Sequence, residues 1–276
     1  MPKNILEGKT LILGVTGSIA AYKMANAASM LVKLGADVHV IMTENATNFI
    51  TFETLTGHKC LVDTFDRNFQ FHVAHVSLAK QADAVLVAPA SANVIGKLAN
   101  GIADDMLTTT LLACTCPVLV APAMNTNMYE NKIVQDNLSK LRQFGIIVIQ
   151  PDVGFLACRD VGAGKMPREE VLIDYLLREI AKEKDLAGRK VLVTAGATRE
   201  AIDPVRYITN HSTGKMGYAI ARLAMLRGAD VTLVSGVSQV EPPPFVEYVP
   251  IESAGDMFRE VTKRSGDMDI VIMAAA

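Results

Sequence analysis

A glycine- and serine-containing turn follows the first hydrophobic run of the sequence. It reads GVTGSIAAYK and includes Gly14, Gly17 and Ser18. Glycines permit a tight turn, and a serine can cap the next helix while its hydroxyl group and free N–H groups face a phosphate. The spacing is not GxGxxG, and Thr43 stands where a dinucleotide site has an acidic ribose partner. These residues favour a mononucleotide with one phosphate, although glycines that serve only packing explain the turn equally well.

Two more hydrophobic runs end in polar residues that could face a ligand. Ser91 and Asn93 follow the run AVLVAPA, and Asn125 follows PVLVAPAM within the segment PAMNTNMYENK. Helix capping explains the first pair, and an Asx turn is an alternative for Asn125. Because ligands of open α/β sheets bind outside the carboxyl ends of the strands, three such ends on one edge predict a crevice.

The elements that position these residues alternate between short β-branched runs and longer helical stretches, as in parallel βαβ units. Strands are predicted at KTLILGVT, DVHVIMT, ADAVLVAPA, PVLVAPA and IIVIQP. Residues 18–35 and 92–113 are each predicted as one helix.

The pattern then starts again, since GRKVLVTAGAT near residue 188 resembles the beginning of the chain. Further strands are predicted at DVTLVS, FVEYVP and DIVIMAA. A charged stretch before Gly188 has the composition of a linker. The sequence therefore predicts two tandem doubly wound, Rossmann-like parallel-sheet α/β domains, at residues 1–187 and 188–276, with the second incomplete.

Composition excludes several function classes. The 276 residues are 50% hydrophobic and 20% charged, with a net charge of -2, which favours a globular fold and argues against nucleic-acid binding. The apolar runs are too short to cross a membrane, and no signal peptide is recognised. The four cysteines show no metal-ligand spacing, so no metal site is predicted. A cytoplasmic protein acting on small molecules is expected.

Four segments together resemble the FMN-dependent cysteine decarboxylase family: GVTGSIAAYK, APASANVIGKLANGIADDML, APAMNTNMYEN and ACRDVGAGKMP. The second half, with TAGATREAIDPVRYITNHSTGKMG, is similar to the phosphopantothenate–cysteine ligases. The two halves in this order resemble the bifunctional phosphopantothenoylcysteine decarboxylase/ligase family of coenzyme A biosynthesis. The resemblance implies an FMN site formed by Gly17, Ser18, Thr43, Ser91, Asn93, Met106 and Thr109.

The resemblance also implies a reaction. FMN oxidises the CH2–SH carbon of 4'-phosphopantothenoylcysteine to a thioaldehyde, CO2 leaves, and reduction of the ene-thiol gives 4'-phosphopantetheine. His75 would be the base, Asn125 would hold the substrate carboxylate and Cys158 would return a proton. Spacing alone does not separate His75 from His72. Residues 159–165 include Arg159 and Lys165, which could meet the substrate phosphate or remain solvated.

For the second half, the resemblance implies that CTP and Mg2+ activate phosphopantothenate as a cytidylyl ester, which the cysteine amine attacks. The residues implied in that site are Asn210, Ser212, Gly214, Gly217, Met273, Ala274 and Ala275. Because the family's lysine-bearing loop does not occur before Ala276, the ligase half is expected to be truncated and its activity doubtful. A homo-oligomer with trimeric decarboxylase domains is expected.

The sequence leaves three alternatives open. A peptidyl-cysteine decarboxylase would lack the ligase-like half, and a prenyl-FMN-type transferase would not need the segment around Cys158. A non-catalytic flavin-binding regulatory subunit would need none of His75, Asn125 and Cys158, so the presence of all three argues against it.

Overall fold

The structure is a computed structural model that describes residues 4–47, 52–63, 74–155 and 161–275, with only the backbone described at residues 74 and 75. It divides into two compact units, Met1–Ile180 and Ala181–Ala276. Leu186 lies near the start of the second unit, and its N–H donates to the Arg227 carbonyl of the same unit (3.0 Å). The functional boundary at residue 188 stays a prediction. No helix in the described ranges is long and apolar enough to cross a membrane.

The first unit contains seven strands and eight α-helices among its described residues. The strands are β1 (Thr10–Val15), β2 (Asp37–Met42), β3 (Ala84–Ala90), β4 (Val118–Pro122), β5 (Ile147–Val148), β6 (Asp152–Phe155) and β7 (Val161–Lys165). The helices are α1 (Lys23–Lys33), α2 (Glu53–Thr56), α3 (Ala74–Gln81), α4 (Ala92–Ala99), α5 (Met106–Ala113), α6 (Thr126–Glu130), α7 (Lys132–Gln143) and α8 (Glu169–Ile180).

The main sheet of this unit has the order β2-β1-β3-β4-β5, and all its pairings are parallel. Every residue of β3 is buried, as expected for a parallel strand covered on both faces. Gly14 lies inside β1, where an added Cβ would come within 2.7 Å of a Leu107 methyl group on α5. For Gly14, the packing alternative is therefore correct.

The prediction of one helix over residues 92–113 is wrong, because the structure has α4 and α5 separated by residues 100–105. Gly101 has φ +68° in this connection. Asp105 then begins α5 with a capping box, in which its carboxylate accepts from the Thr108 N–H (2.8 Å). A left-handed glycine ends a helix and a capping aspartate starts one, so α4 and α5 are two separate helices.

Two more local features differ from the sequence prediction. A 3-10 helix at Ile19–Tyr22 precedes α1, so the long predicted helix has two parts. The strands β6 and β7 form an antiparallel hairpin that the hydrophobic pattern did not predict. Its sequence is rich in glycine, which gives little strand signal.

The second unit is built around a four-stranded parallel sheet with the order β12-β11-β8-β13. Its strands are β8 (Lys190–Ala195), β9 (Arg199–Ala201), β10 (Tyr207–Thr209), β11 (Asp230–Ser235), β12 (Glu247–Pro250) and β13 (Ile270–Met273), and its helices are α9 (Lys215–Leu226) and α10 (Ala254–Ser265). The four main strands confirm those predicted. The strands β9 and β10 pair as a hairpin in the long loop after β8.

Candidate active site

The order of the first sheet defines where a ligand should bind. From β1 the chain goes outward to β2 and then returns to β3 on the other side, so the topological switch point lies between β1 and β3. This is the flavodoxin-like order, in which ligands bind at the carboxyl ends of the strands around the switch point. Ser18 follows β1, Ser91 follows β3 and Asn125 follows β4. These three predicted site residues thus lie along one edge.

Thr16 joins the two sides of the switch point, and sequence reasoning missed it. Its fully buried hydroxyl group donates to the Pro89 carbonyl (2.7 Å) and accepts from the Ser91 N–H (3.0 Å). One side chain therefore fixes the end of β3 against the end of β1. The signal in the sequence was a threonine directly after a buried strand and before a glycine turn.

The turn after β1 leaves no room for a side chain at Gly17. An added Cβ would lie 2.6 Å from the Asn45 Cβ, in the turn that follows β2. Ser18 caps the 3-10 helix by accepting from the Ala20 N–H (3.4 Å). Thr43 is held beside this turn by donating its N–H to the Val15 carbonyl (3.0 Å). Gly17 is required for this close approach of the two turns.

A cavity of about 330 Å³ opens between the turn after β1 and the segment after β4. It brings Ser18 and Asn125 to one space. The rest of its lining is mainly apolar, with two cations, and comprises Ile19, Ala20, Tyr22, Lys23, Ala123, Met124, Phe155, Gly164, Lys165 and Met166. A ligand there would meet two hydroxyl groups, an amide and two ammonium groups on otherwise apolar walls.

The Asn125 amide has a defined orientation. Its Oδ1 accepts from the Asn127 N–H (2.9 Å) and caps α6. Because a backbone N–H can only donate, the atom facing it must be the oxygen, and the amide NH2 points elsewhere. The Asx turn and a carboxylate-binding role are therefore compatible, since they use different atoms of the same side chain.

The β6–β7 hairpin is joined to the Asn125 segment at its base. The Met124 N–H donates to the Gly164 carbonyl (3.0 Å). An added Cβ at Gly164, which has φ +122°, would lie 2.3 Å from the Met124 carbonyl oxygen. Beside it, Gly162 contacts the buried Thr126 hydroxyl, since a Cβ there would come within 2.5 Å. The two glycines allow the hairpin to pack directly on the Asn125 segment.

The remaining predicted residues of this unit have different positions. Ser91 caps α4 by accepting from the Val94 N–H (3.4 Å), and Asn93 is exposed. Met106 is 2% exposed and belongs to the core, whereas Thr109 is partly exposed on α5. None of these four lines the cavity. The side chain of His75, and both His72 and Cys158, lie outside the described residues, so their roles stay predictions.

In the second unit, the predicted nucleotide residues also follow strand ends. The Asn210 Oδ1 accepts from the Ser212 N–H (2.8 Å), whose own hydroxyl accepts from the Gly214 N–H (3.4 Å). Gly214 has φ +75° at the start of α9. Gly217 lets α9 pack on β8, because its Cβ would lie 2.7 Å from that of Ala195. Asn210, Ser212 and Gly214 thus form the connection from the β9–β10 hairpin to α9, and Gly217 lies in the first turn of α9.

Thr194 in β8 was missed by sequence reasoning. Its buried hydroxyl group accepts from the N–H groups of Ala274 (3.0 Å) and Ala275 (3.1 Å), just after β13. Met273, at the end of β13, is 62% exposed. As with Thr16, a threonine hydroxyl connects the first strand of the unit to its neighbour across the switch point.

Comparisons with known proteins agree with this architecture. Residues 2–181 match the family model Flavoprotein, and residues 186–276 match the model for the DNA/pantothenate metabolism flavoprotein C-terminal domain. Among solved structures, a mutant PPC decarboxylase complexed with pantothenoylaminoethenethiol is 31% identical with a TM-score of 0.57, covering 61% of this chain and 96% of that one. The FMN binding protein AtHal3 is 32% identical with a TM-score of 0.55, covering 62% and 95%.

Two curated relatives match nearly the whole chain. The Coenzyme A biosynthesis bifunctional protein CoaBC of Bacillus subtilis (strain 168) is 49% identical over 99% of this chain and 68% of the relative. Its namesake in Borreliella burgdorferi is 42% identical over 98% of this chain and 70% of the relative. The chain belongs to the family of coenzyme A biosynthesis bifunctional proteins, with a Flavoprotein domain followed by the flavoprotein C-terminal domain.

Proposed function

We propose that this chain catalyses the FMN-dependent decarboxylation of 4'-phosphopantothenoylcysteine to 4'-phosphopantetheine in coenzyme A biosynthesis. The observation that carries the proposal is the cavity shared by Ser18 and the Asn125 amide at the carboxyl edge of the first sheet. The family membership supports the reaction class.

The residues at the switch point suit a flavin mononucleotide. The turn at Gly17 and Ser18 offers a hydroxyl group beside backbone N–H groups, and the thioethers of Met124 and Met166 give the cavity adaptable apolar walls. We assign the cofactor to the predicted set Gly17, Ser18, Thr43, Ser91, Asn93, Met106 and Thr109. When bound, FMN supplies reversible oxidation of the substrate's thiol-bearing carbon, which gives the decarboxylation its electron sink.

The chain's own residues bind the substrate and move its protons. The Asn125 NH2 group donates to the substrate carboxylate, and a neutral amide stabilises this anion less than a lysine would before CO2 leaves. His75 takes the thiol proton, because a histidine titrates close to neutral pH. Cys158 returns a proton as a thiol. Lys165 lines the cavity, and we assign it to the substrate phosphate.

The test is to incubate the FMN-loaded protein with 4'-phosphopantothenoylcysteine and to measure CO2 and 4'-phosphopantetheine. Release of both in equal amounts is expected. Retention of FMN without turnover would instead favour a non-catalytic flavin-binding subunit. A peptide ending in cysteine serves as the second substrate arm, and preferential decarboxylation of the peptide would favour a peptidyl-cysteine decarboxylase.

For the second unit, we propose a nucleotide site of a phosphopantothenate–cysteine ligase, with CTP and Mg2+ as cofactors. The turn at Asn210 and Ser212, which leads into α9 at Gly214, supports this placement. The test is to mix the chain with CTP, Mg2+, phosphopantothenate and cysteine and to follow pyrophosphate. One equivalent of pyrophosphate from CTP, Mg2+ and phosphopantothenate, with continued release once cysteine is added, supports a ligase. Binding of CTP without release supports a nucleotide site only.

We also propose that the decarboxylase unit works as a homo-oligomer, with a trimer as the expected state, in the cytoplasm. Ile19, Tyr22 and Phe155 line the cavity, yet they are 61%, 58% and 65% exposed. Large apolar side chains around an open cavity support its completion by another subunit.

A further inference from the structure

A cluster of two imidazoles and a carboxylate lies at the amino end of β2, away from the candidate active site. The Asp37 carboxylate contacts the His39 Nε2 through Oδ2 (3.1 Å) and the His58 Nε2 through Oδ1 (2.6 Å). The two rings are stacked, with centroids 4.0 Å apart and an interplanar angle of 20°. One potential ligand atom from each residue lies within 4.8 Å of the other two.

The backbone holds all three residues in place. Asp37 and His39 are two positions apart on β2, so their side chains share one face. His58 follows Gly57, which ends α2 with φ +74°, and its N–H donates to the Thr56 hydroxyl (3.3 Å). Three residues later, Leu61 exchanges backbone hydrogen bonds with Val40 and Met42 beside β2 (3.0 and 2.8 Å). The position of His58 next to β2 is therefore fixed from both sides.

Two neutral imidazole nitrogens and one carboxylate oxygen are a donor set that Zn2+ accepts, with water as the fourth ligand. A tetrahedral zinc ion with bonds of roughly 2.1 Å holds its ligand atoms about 3.4 Å apart. The three potential ligand atoms here lie within 4.8 Å of one another, so small side-chain rotations bring them to that spacing. The stacked rings must rotate about their Cβ–Cγ bonds to aim both nitrogens at one ion. The exposed fractions of His39, His58 and Asp37 (20%, 39% and 52%) leave room for this rotation and for a water ligand.

Both Nε2 atoms turn toward the same carboxylate. A carboxylate only accepts, so Nε2 is the donor in each ring. On metal binding, each neutral ring keeps one proton by moving it to Nδ1. The reaction needs no other reagent, because the ion replaces the two hydrogen bonds with coordinate bonds.

We propose that Asp37, His39 and His58 form a binding site for one divalent transition-metal ion, with Zn2+ as the preferred ion. The site lies at the amino end of β2, whereas Ser18 and Asn125 lie at the carboxyl ends of the strands, and a six-residue strand separates the two ends by about 17 Å. The ion connects the residue 52–61 segment to β2 and stabilises the folded first unit. It takes no part in the proposed decarboxylation.

The experiment uses the FMN-loaded protein after treatment with a chelator. Zn2+ binding is measured by calorimetry, and Co2+ binding is followed through its d–d bands on the long-wavelength side of the flavin absorption. One ion per chain is expected, with a rise in the unfolding temperature. His39→Ala and His58→Ala should each lower the affinity at least about tenfold, since each removes one of three protein ligands.

His211→Ala is the matched control, because it removes an exposed histidine of the second unit. It should bind like the wild type, and all variants should retain FMN and decarboxylase activity. Three results would overturn the proposal: no binding by the wild type, unchanged affinity in both His39→Ala and His58→Ala, or a thiolate–cobalt charge-transfer band. The last result would place the ion at a cysteine instead of this cluster.

Discussion

At the scale of single residues, Asn125 shows how one side chain can serve structure and binding together. Its oxygen caps α6, while its NH2 group belongs to the proposed carboxylate site. Replacing Asn125 by aspartate keeps the capping oxygen but removes the NH2 donor. This difference separates a loss of function from a loss of fold.

Asn125→Asp should keep the stability of the first unit but raise the KM for 4'-phosphopantothenoylcysteine by about 100-fold, since an adjacent like charge in a partly buried site costs roughly 3 kcal/mol. Steady-state kinetics and thermal unfolding check both parts. Asn131→Asp is the matched control, because Asn131 caps α7 through the same contact (2.9 Å to the Ile133 N–H) outside the cavity lining. Equal KM values in the two variants would remove the carboxylate role.

Cys158→Ser should retain FMN and oxidise the substrate but release the unsaturated ene-thiol instead of 4'-phosphopantetheine. A serine hydroxyl is a far weaker acid than a thiol, so it cannot return the proton at neutral pH. Mass spectrometry of the products checks this result. Cys60→Ser is the control and should give the normal product. Normal product from Cys158→Ser would show that another group is the acid.

At the scale of elements, the start of α5 depends on one charged cap. Partial burial raises the pKa of Asp105, but hydrogen bonds from the Thr108 N–H and Lys97 outweigh it and hold that pKa below its usual value. Since the folded pKa is the lower one, the cap contributes stability above the unfolded pKa. That stability is lost as the pH falls through the folded pKa.

Asp105→Ala should therefore lower the free energy of unfolding of the first unit by about 1 kcal/mol near pH 7, with the difference shrinking below about pH 4. Denaturant titrations at several pH values measure it. Asp104→Asn is the control, since Asp104 also pairs with Lys97 (2.6 Å) but caps no helix. If the difference in the free energy of unfolding between the wild type and Asp105→Ala stayed constant down to low pH, the charge of Asp105 would not contribute to the cap.

The β6–β7 hairpin gives a second test at this scale. Gly164→Ala should destabilise the first unit by about 2 kcal/mol and reduce activity, because the new methyl group meets the Met124 carbonyl while φ is strained. Thermal unfolding and kinetics measure the two effects. Gly145→Ala is the control, with φ +81° and no atom within 4 Å of the added Cβ. The Gly145→Ala variant has the same kind of backbone strain but does not displace the hairpin. Equal activity in the two variants would show that catalysis does not need the contact between Gly164 and Met124.

At the scale of the whole molecule, both units use the same device. Thr16 and Thr194 each join the first strand of a sheet to the neighbouring strand across the switch point. The repeated use of a buried threonine hydroxyl fits the restart of the pattern that the sequence shows near residue 188.

Association is the property to test at this scale. The chain should behave as a trimer in light scattering, and Tyr22→Asp should reduce both association and decarboxylation by placing a charge on the apolar rim of the cavity. Phe144→Asp is the control, because Phe144 is 68% exposed but lies outside the cavity lining. A fully active monomer would contradict the prediction.

The sequence by itself determined the two parallel sheets, their main strands and the family, because buried parallel strands are continuous apolar runs and the motifs are local. It did not determine the break between α4 and α5, because an isolated glycine is tolerated inside a helical pattern. The left-handed backbone at Gly101 and the cap at Asp105 are visible only in the structure.

Only the tertiary structure decided which distant groups meet. The bond from Thr16 to Pro89 spans 73 residues, and the contact between Asp37 and His58 spans 21. No local spacing encodes such contacts, because they arise when separate strands and turns pack at the same edge of a sheet. For the same reason, the sequence predicted no metal site, whereas the fold brings two imidazoles and a carboxylate together at the amino end of β2.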